Sequence, residues 1–254
     1  MRPNLFASTA LTTSTVFMAG TVWAADLPVK APSAPPAKAR FSWNGCYVGL
    51  NAGAASNHID QNVEIPGVAT FGSGGHNTSF TGGGQVGCNL QFDPNWVVGL
   101  EGDISYLNGK RSQSFGYRFS GEDTVGSQDT TLRWLATLRG RFGYAWDRWF
   151  LYGTGGLAIG DVKSSVSASD TVPTQYSGSY SAVRAGWTAG AGFEYAFAER
   201  LSLKLEYLHF DLGTANYLVN TVAGGPPQQP ATWNASSKVS GDIIRVGLNY
   251  RLNP

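Results

Sequence analysis

Ionisable residues two apart recur through the chain: Glu101 with Asp103, Arg139 with Arg141, and Lys204 with Glu206. A spacing of two places both members on the same face of a β-strand. Glu194, Arg133, Arg184, Arg245 and Arg251 fall on the same phase of similar segments. The set contains both signs, so two chemistries follow. Opposite charges could interlock into a sealed polar interior, or line a narrow passage whose Arg–Glu pairs rearrange to admit a solute. Either way, isolated charges in a dry interior would cost several kcal/mol each, so they are expected to pair and share trapped water.

Other residues offer weaker chemistry. His209 and Asp211 lie two apart, but no serine stands beside the histidine as a nucleophile, so they do not make a hydrolase. His58 and His76 share one long polar stretch and could touch haem or a metal, yet two histidines on a loop are a poor ligand set, and no metal site is assigned. The glycine-rich run 153–160, GTGGLAIG, lacks the following lysine of a phosphate-cradling loop and reads as a glycine-lined strand. No cofactor is expected.

The elements that would position the charges are eight segments with apolar residues at every second position. In 134–144, WLATLRGRFGY, Trp134, Leu138 and Phe142 alternate with Arg139 and Arg141. Cys46, Val48 and Leu50 alternate with Tyr47, Gly49 and Asn51; Val98, Leu100 and Ile104 alternate with Glu101 and Asp103. The connections alternate too. Three are short (93–95, 145–148 and 196–200), and the other four are long and rich in Gly, Ser, Thr and Asn. One rim with long loops and one with tight turns is the pattern of a closed barrel between two compartments.

Composition agrees. Thirty-three glycines among 254 residues disfavour an all-α chain, no body segment is an apolar run long enough for a membrane helix, and a formal charge of +1 gives no nucleic-acid signal. Residues 1–24 read as an export signal cut after Ala24, 25–42 as a Pro/Ala-rich periplasmic linker, and 43–254 as the barrel. The fold class is all-β: an eight-stranded antiparallel up-and-down transmembrane barrel with short periplasmic turns and four long extracellular loops. Strands of about ten residues suffice to cross the hydrocarbon layer. The apolar phase then meets lipid, the ionisable phase fills the interior, and eight strands leave room only for side chains. Phe92, Trp96, Tyr144, Trp149, Tyr195 and Tyr250 fit an interfacial girdle at the short-turn rim.

Cys46 and Cys88 both lie on the lipid-facing phase, near the start of the first segment and the end of the second. Antiparallel pairing brings those ends together, which allows a cross-strand disulfide in an oxidising periplasm; two thiols filling small apolar positions is the other reading.

The segments WNGCYVGLNAG (43–53), GGGQVGCNLQF (82–92), WVVGLEGDISY (96–106), WLATLRGRFGYAWDRWFLYGTGGLA (134–158), GWTAGAGFEYAFAERLSLKLEYLHFDLG (186–213) and VGLNYRL (246–252) together resemble the small outer-membrane immunogenic proteins of α-proteobacteria, the Omp25/Omp31 type. AADLP after the signal matches as well. The resemblance spans the mature chain. It implies an outer-membrane barrel contacting lipid and lipopolysaccharide, delivered by the outer-membrane assembly machinery, with a structural, porin-like or haem-binding role. The leading expectation is a non-enzymatic surface protein that supports the envelope, with a small solute channel as the alternative. Two departures stand out. Cys46 and Cys88 occupy positions that are usually aromatic in the family, and the chain ends Leu252-Asn253-Pro254 where an aromatic usually stands.

Overall fold

Eight strands succeed one another along the chain: β1 (Gly45–Ile65), β2 (Ala69–Phe92), β3 (Trp96–Phe119), β4 (Glu122–Trp146), β5 (Trp149–Asp170), β6 (Gln175–Ala196), β7 (Leu201–Ala223) and β8 (Thr232–Arg251). In this computed structural model the described residues are 41–65, 69–119, 122–170, 175–223 and 232–252, so the export-signal and most of the linker assignments lie outside them. Every neighbour pairs antiparallel, and β8 returns to β1, closing the ring. Closure satisfies the edge N–H and C=O groups that lipid could not. The short turns are tight, and Asp93 (φ 59°) and Asp147 (φ 54°) adopt the left-handed conformation that Asp tolerates through local hydrogen bonding.

Around the lower half of the ring, near the tight turns, the outward phase is apolar and bare. Leu50 is 72% exposed and Leu100 65%, and Val86, Leu138, Leu157, Leu205 and Ile244 share this belt. Trp96 stacks on Phe142 and meets the edge of Tyr144, while Trp149 packs on Phe193 and Tyr195. These rings form the girdle at the short-turn rim.

The structure departs from the sequence reading in strand length. The strands run 20 to 25 residues, twice what the hydrocarbon layer requires. Among the described residues, most of the stretches read as long loops are continuations of the strands beyond the lipid belt. There the polarity inverts. Ala55, Leu107, Leu132, Val162, Leu208, Phe210, Val239 and Ile243 point inward as one apolar cluster, and Val63, Val166, Tyr176, Tyr217 and Val219 form another further out. Most outward residues at this level are polar, Val125 and Leu218 being exposed exceptions, so the upper tier is built like a water-soluble barrel on top of a membrane one. Apolar residues with polar ones between them satisfy the strand period on either side of the belt, but the face that must be dry changes with the solvent.

Candidate functional site

The centre of the lower tier is filled by an ionic layer. Glu101 and Asp103 come from β3, Arg139 and Arg141 from β4, Glu194 from β6, Lys204 and Glu206 from β7 and Arg245 from β8. All eight side chains are buried. Glu101 receives Arg139 (2.6 Å), Arg141 (3.2 Å) and Lys204 (2.9 Å). Arg139 also reaches Asp103 (2.8 Å) and Glu206 (3.1 Å), and Arg245 clamps Asp103 (2.9 Å) and Glu206 (2.7 Å). Glu194 accepts from Arg141 at 2.7 Å. Four cations face four carboxylates, so the layer is neutral.

Neutral groups complete the coordination. Tyr47 donates to Glu101 (2.5 Å), Tyr152 to Glu206 (2.8 Å), Thr137 to Asp103 (2.5 Å), and Ser202 and Asn249 to Glu194. The guanidinium of Arg141 also bonds to the Tyr47 hydroxyl and lies 4.0 Å above the Tyr152 ring. Glycines on the inward phase make room for these side chains. A Cβ at Gly192 would sit 2.2 Å from the Tyr152 oxygen, and one at Gly87 2.4 Å from that of Tyr47. Carboxylates that each accept several charge-assisted bonds offset much of the desolvation that burial imposes.

The remaining sequence-assigned interior residues do not join this layer. Arg133 is exposed on the outer surface. The β4–β5 register shifts between Leu132 and Leu135, which reverses the phase beyond it, and an assumed unbroken alternation therefore put Arg133 on the wrong face. Arg184 keeps the inward phase but is half-buried and meets no carboxylate among the described residues. It donates to the carbonyls of Leu212 (3.3 Å) and Thr214 (2.7 Å), beside the bulge formed at Gly213 (φ 72°). Arg251 holds the incoming chain, donating to the carbonyls of Ser42 and Asn44 (3.0 Å) and lying 4.6 Å over the Phe41 ring.

That incoming chain was missed by sequence reasoning. Phe41 and Trp43 enter the short-turn mouth and pack with Val97, Ala145, Phe150, Tyr152 and Ala196 as a lid beneath the ionic layer. The Trp43 indole donates to the Asp147 carbonyl at 3.1 Å. Two aromatics flanking a serine after a proline-rich stretch were the available signal. Cys46 and Cys88 are register partners and are joined by a disulfide on the outer face, across a sequence separation of 42.

His209 lies on the outer face, with Nδ1 2.9 Å from an Asp242 oxygen that also accepts from Tyr207 at 2.6 Å. Asp211 instead faces Lys238 at 3.4 Å. No hydroxyl nucleophile is bonded to His209 among the described residues. His58 and His76 are cross-strand partners in β1 and β2, and no cluster of three or more His, Cys, Asp or Glu able to hold a metal occurs among the described residues.

A closed eight-stranded ring with lipid-ready residues outside and a neutral ionic layer inside defines a transmembrane β-barrel of the outer-membrane class. Residues 29–251 match the family model described as the outer membrane protein beta-barrel domain, and the chain belongs to that family. It is 38% identical over 256 residues to the 31 kDa outer-membrane immunogenic protein of Brucella melitensis, covering 96% of this chain and 99% of the relative. It is 33% identical to the 22 kDa outer membrane protein of Rhizobium leguminosarum, over 72% of this chain and 70% of the relative. Among solved structures, the outer membrane protein OprG of Pseudomonas aeruginosa shares the fold with a TM-score of 0.52 at 12% identity, over 85% of this chain and all of OprG.

Proposed function

We propose that this outer-membrane protein is a non-enzymatic, non-conducting scaffold that stabilises the envelope and displays its upper barrel outside the cell. The observation that carries this reading is the ionic layer, whose four cations and four carboxylates interlock across the lumen above an aromatic lid. A solute channel would need these pairs to separate, which would leave buried charges uncompensated at a cost of several kcal/mol each. The curated relatives named immunogenic proteins support display at the cell surface.

Lipopolysaccharide is the outer-leaflet neighbour in this reading. Lys110, Arg133 and Lys163 are exposed just above the lipid belt, where anionic headgroups would meet them. Assembly machinery inserts the chain through β8, and export removes residues 1–24; sequencing the mature amino terminus should find Ala25. The functional test pairs planar-bilayer recording of the purified mature protein with detergent sensitivity of a deletion strain. Silent bilayers and a detergent-sensitive strain are expected. Steady single channels whose conductance changes in Arg139→Gln would overturn the scaffold and establish the pore.

A further inference from the structure

The upper wall of the barrel is not laddered all the way round. The β2–β3 ladder runs from Phe92↔Trp96 to Thr81↔Leu107 and ends there. Beyond it β2 continues to Ala69 paired with β1 alone, and β3 continues to Phe119 paired with β4 alone. The β6–β7 ladder also breaks, between Trp187↔Asp211 and Ser177↔Asn220, but it resumes as far as Gln175↔Ala223. Its gap is spanned by Arg184, which donates to two β7 carbonyls, and by Tyr180, whose ring lies 5.9 Å from that of Tyr217. Among the described residues only the β2–β3 parting stays open to the ends of its strands. Solvent enters along it. Asn77, Ser79, Arg111 and Gln113 hold the inward phase yet are half-buried, whereas the residues opposite them in β1 and β4 (Asn57, Ala55, Thr130 and Gln128) are buried.

The β3 margin of this parting is a strand edge. The Lys110 carbonyl accepts from the Asn77 side chain of β2 at 2.6 Å, so it points away from β4. Along an antiparallel strand the backbone groups of alternate residues point to the same side. Ser112, Ser114, Gly116 and Arg118 therefore turn their N–H and C=O groups toward the parting, and all four residues are exposed. Residues 111, 113 and 115 turn theirs toward β4. Small side chains at 112, 114 and 116 leave room for a neighbouring chain, and an exposed edge of this length is a template for a further strand. The charges beside it are of one sign. Segments 69–80 and 109–119 contain Lys110, Arg111 and Arg118 and no Asp or Glu. Arg118 is paired with Asp123 of β4 at 3.0 Å, which leaves Lys110 and Arg111 to set the preference of the edge. Two copies meeting edge to edge would set like charges against one another, so these cations disfavour self-pairing.

We infer that the β3 edge from 110 to 118 docks an extended acidic segment of a partner polypeptide by β-strand addition. Main-chain bonds to Ser112, Ser114, Gly116 and Arg118 supply the affinity, and carboxylates set against Lys110 and Arg111 supply the selectivity. The docking surface lies beyond the lipid belt, is separate from the ionic layer and does not depend on whether the barrel conducts.

The test is residue-resolved amide exchange, read by NMR, of the isotope-labelled mature protein in phospholipid nanodiscs. The probe is a peptide of alternating threonine and glutamate long enough to span 110–118. In the free protein the amides of 112, 114, 116 and 118 should exchange quickly, while those of 111, 113 and 115, bonded to β4, exchange slowly. The peptide should bind saturably and slow the first set. A threonine–lysine peptide, and the threonine–glutamate peptide N-methylated along its length, should bind about tenfold or more weakly. Ser114→Pro removes an edge N–H that β4 does not use, a change an edge strand tolerates, and should abolish binding with heat-modifiable gel migration unchanged. Lys110→Gln/Arg111→Gln should leave the fast amides fast and remove the preference for glutamate over lysine. Slow exchange at 112, 114, 116 and 118 in the free protein would overturn the inference, because the edge would already be paired. So would the absence of saturable binding of the acidic peptide, equal binding of the three peptides, or unchanged binding by Ser114→Pro. Cross-linking of one barrel to another through Ser114→Cys without peptide would make the occupant a second copy and overturn it as well.

Discussion

Replacing Glu101 by Gln keeps the shape of the side chain and removes one charge from the ionic layer. Glu101 is fully buried and receives Arg139, Arg141 and Lys204 together with the Tyr47 hydroxyl. After the change, four cations face three carboxylates, and apart from the Tyr47 hydroxyl the groups around the new amide NH2 can only donate. Breaking a buried pair from one side costs about 3–5 kcal/mol, mostly the charge left behind. Lys204 bonds Glu101 at 2.9 Å and lies 3.7 Å from Glu206, so Glu101 is its nearer partner. Lys204→Gln alone should therefore destabilise on a similar scale. The double variant restores balance at three against three, and its loss should fall below the sum of the singles by about 1–3 kcal/mol. The measurement is urea unfolding in phospholipid vesicles, followed by tryptophan fluorescence and by gel migration of the folded form. A Glu101→Gln protein within about 1 kcal/mol of wild type would show that water solvates this layer. Losses that simply add in the double variant would deny the coupling.

Further outcomes follow from other features. Reduction should raise the mass of the mature protein by about 2 Da for one disulfide; with the cysteines 42 positions apart, chain entropy sets a ceiling of about 4 kcal/mol on the stability lost in Cys46→Ser/Cys88→Ser, read from guanidinium unfolding. Trp43→Ala should cost about 3–5 kcal/mol, because the indole is buried in the mouth, and should speed hydrogen exchange at Phe150 and Tyr152 in the lid. Leu138→Arg, in the lipid belt, should destabilise by about 2–4 kcal/mol in vesicles, while Thr131→Arg on the outward phase above it should change little; equal losses would remove the two-tier boundary.

Much of the lower tier was legible because two constraints coincide there. Lipid fixes the apolar phase and barrel closure fixes the number of strands, so the faces of Leu100 and Glu101, or of Leu138 and Arg139, follow from alternation alone. The cysteine pair was legible as an option because antiparallel pairing sets the start of the first segment beside the end of the second. The individual ion pairs were not. Arg245 and Asp103 meet across the lumen although they stand 142 positions apart in the chain, a contact that no local period encodes. The upper strands were hidden for another reason. Ala55, Ile59 and Val63 recur at every fourth position with polar Asn57 and Gln61 sharing their phase, and the Gly- and Ser-rich remainder has the composition of loops. Arg133 was misplaced because one register shift inverts everything beyond it; the adjacent apolar pair Trp134–Leu135 is the trace of that shift in the sequence.

Continuous strands beyond the lipid belt give the upper tier of this molecule the character of a stiff corrugated sleeve. A macromolecule that recognises it meets side chains contributed by neighbouring ribbons in fixed register, so its footprint is discontinuous along the chain. Short peptides copied from the sequence would lack that footprint. Alternate residues on the watery side could drift freely, while those turned to the dry interior would hold the shape constant.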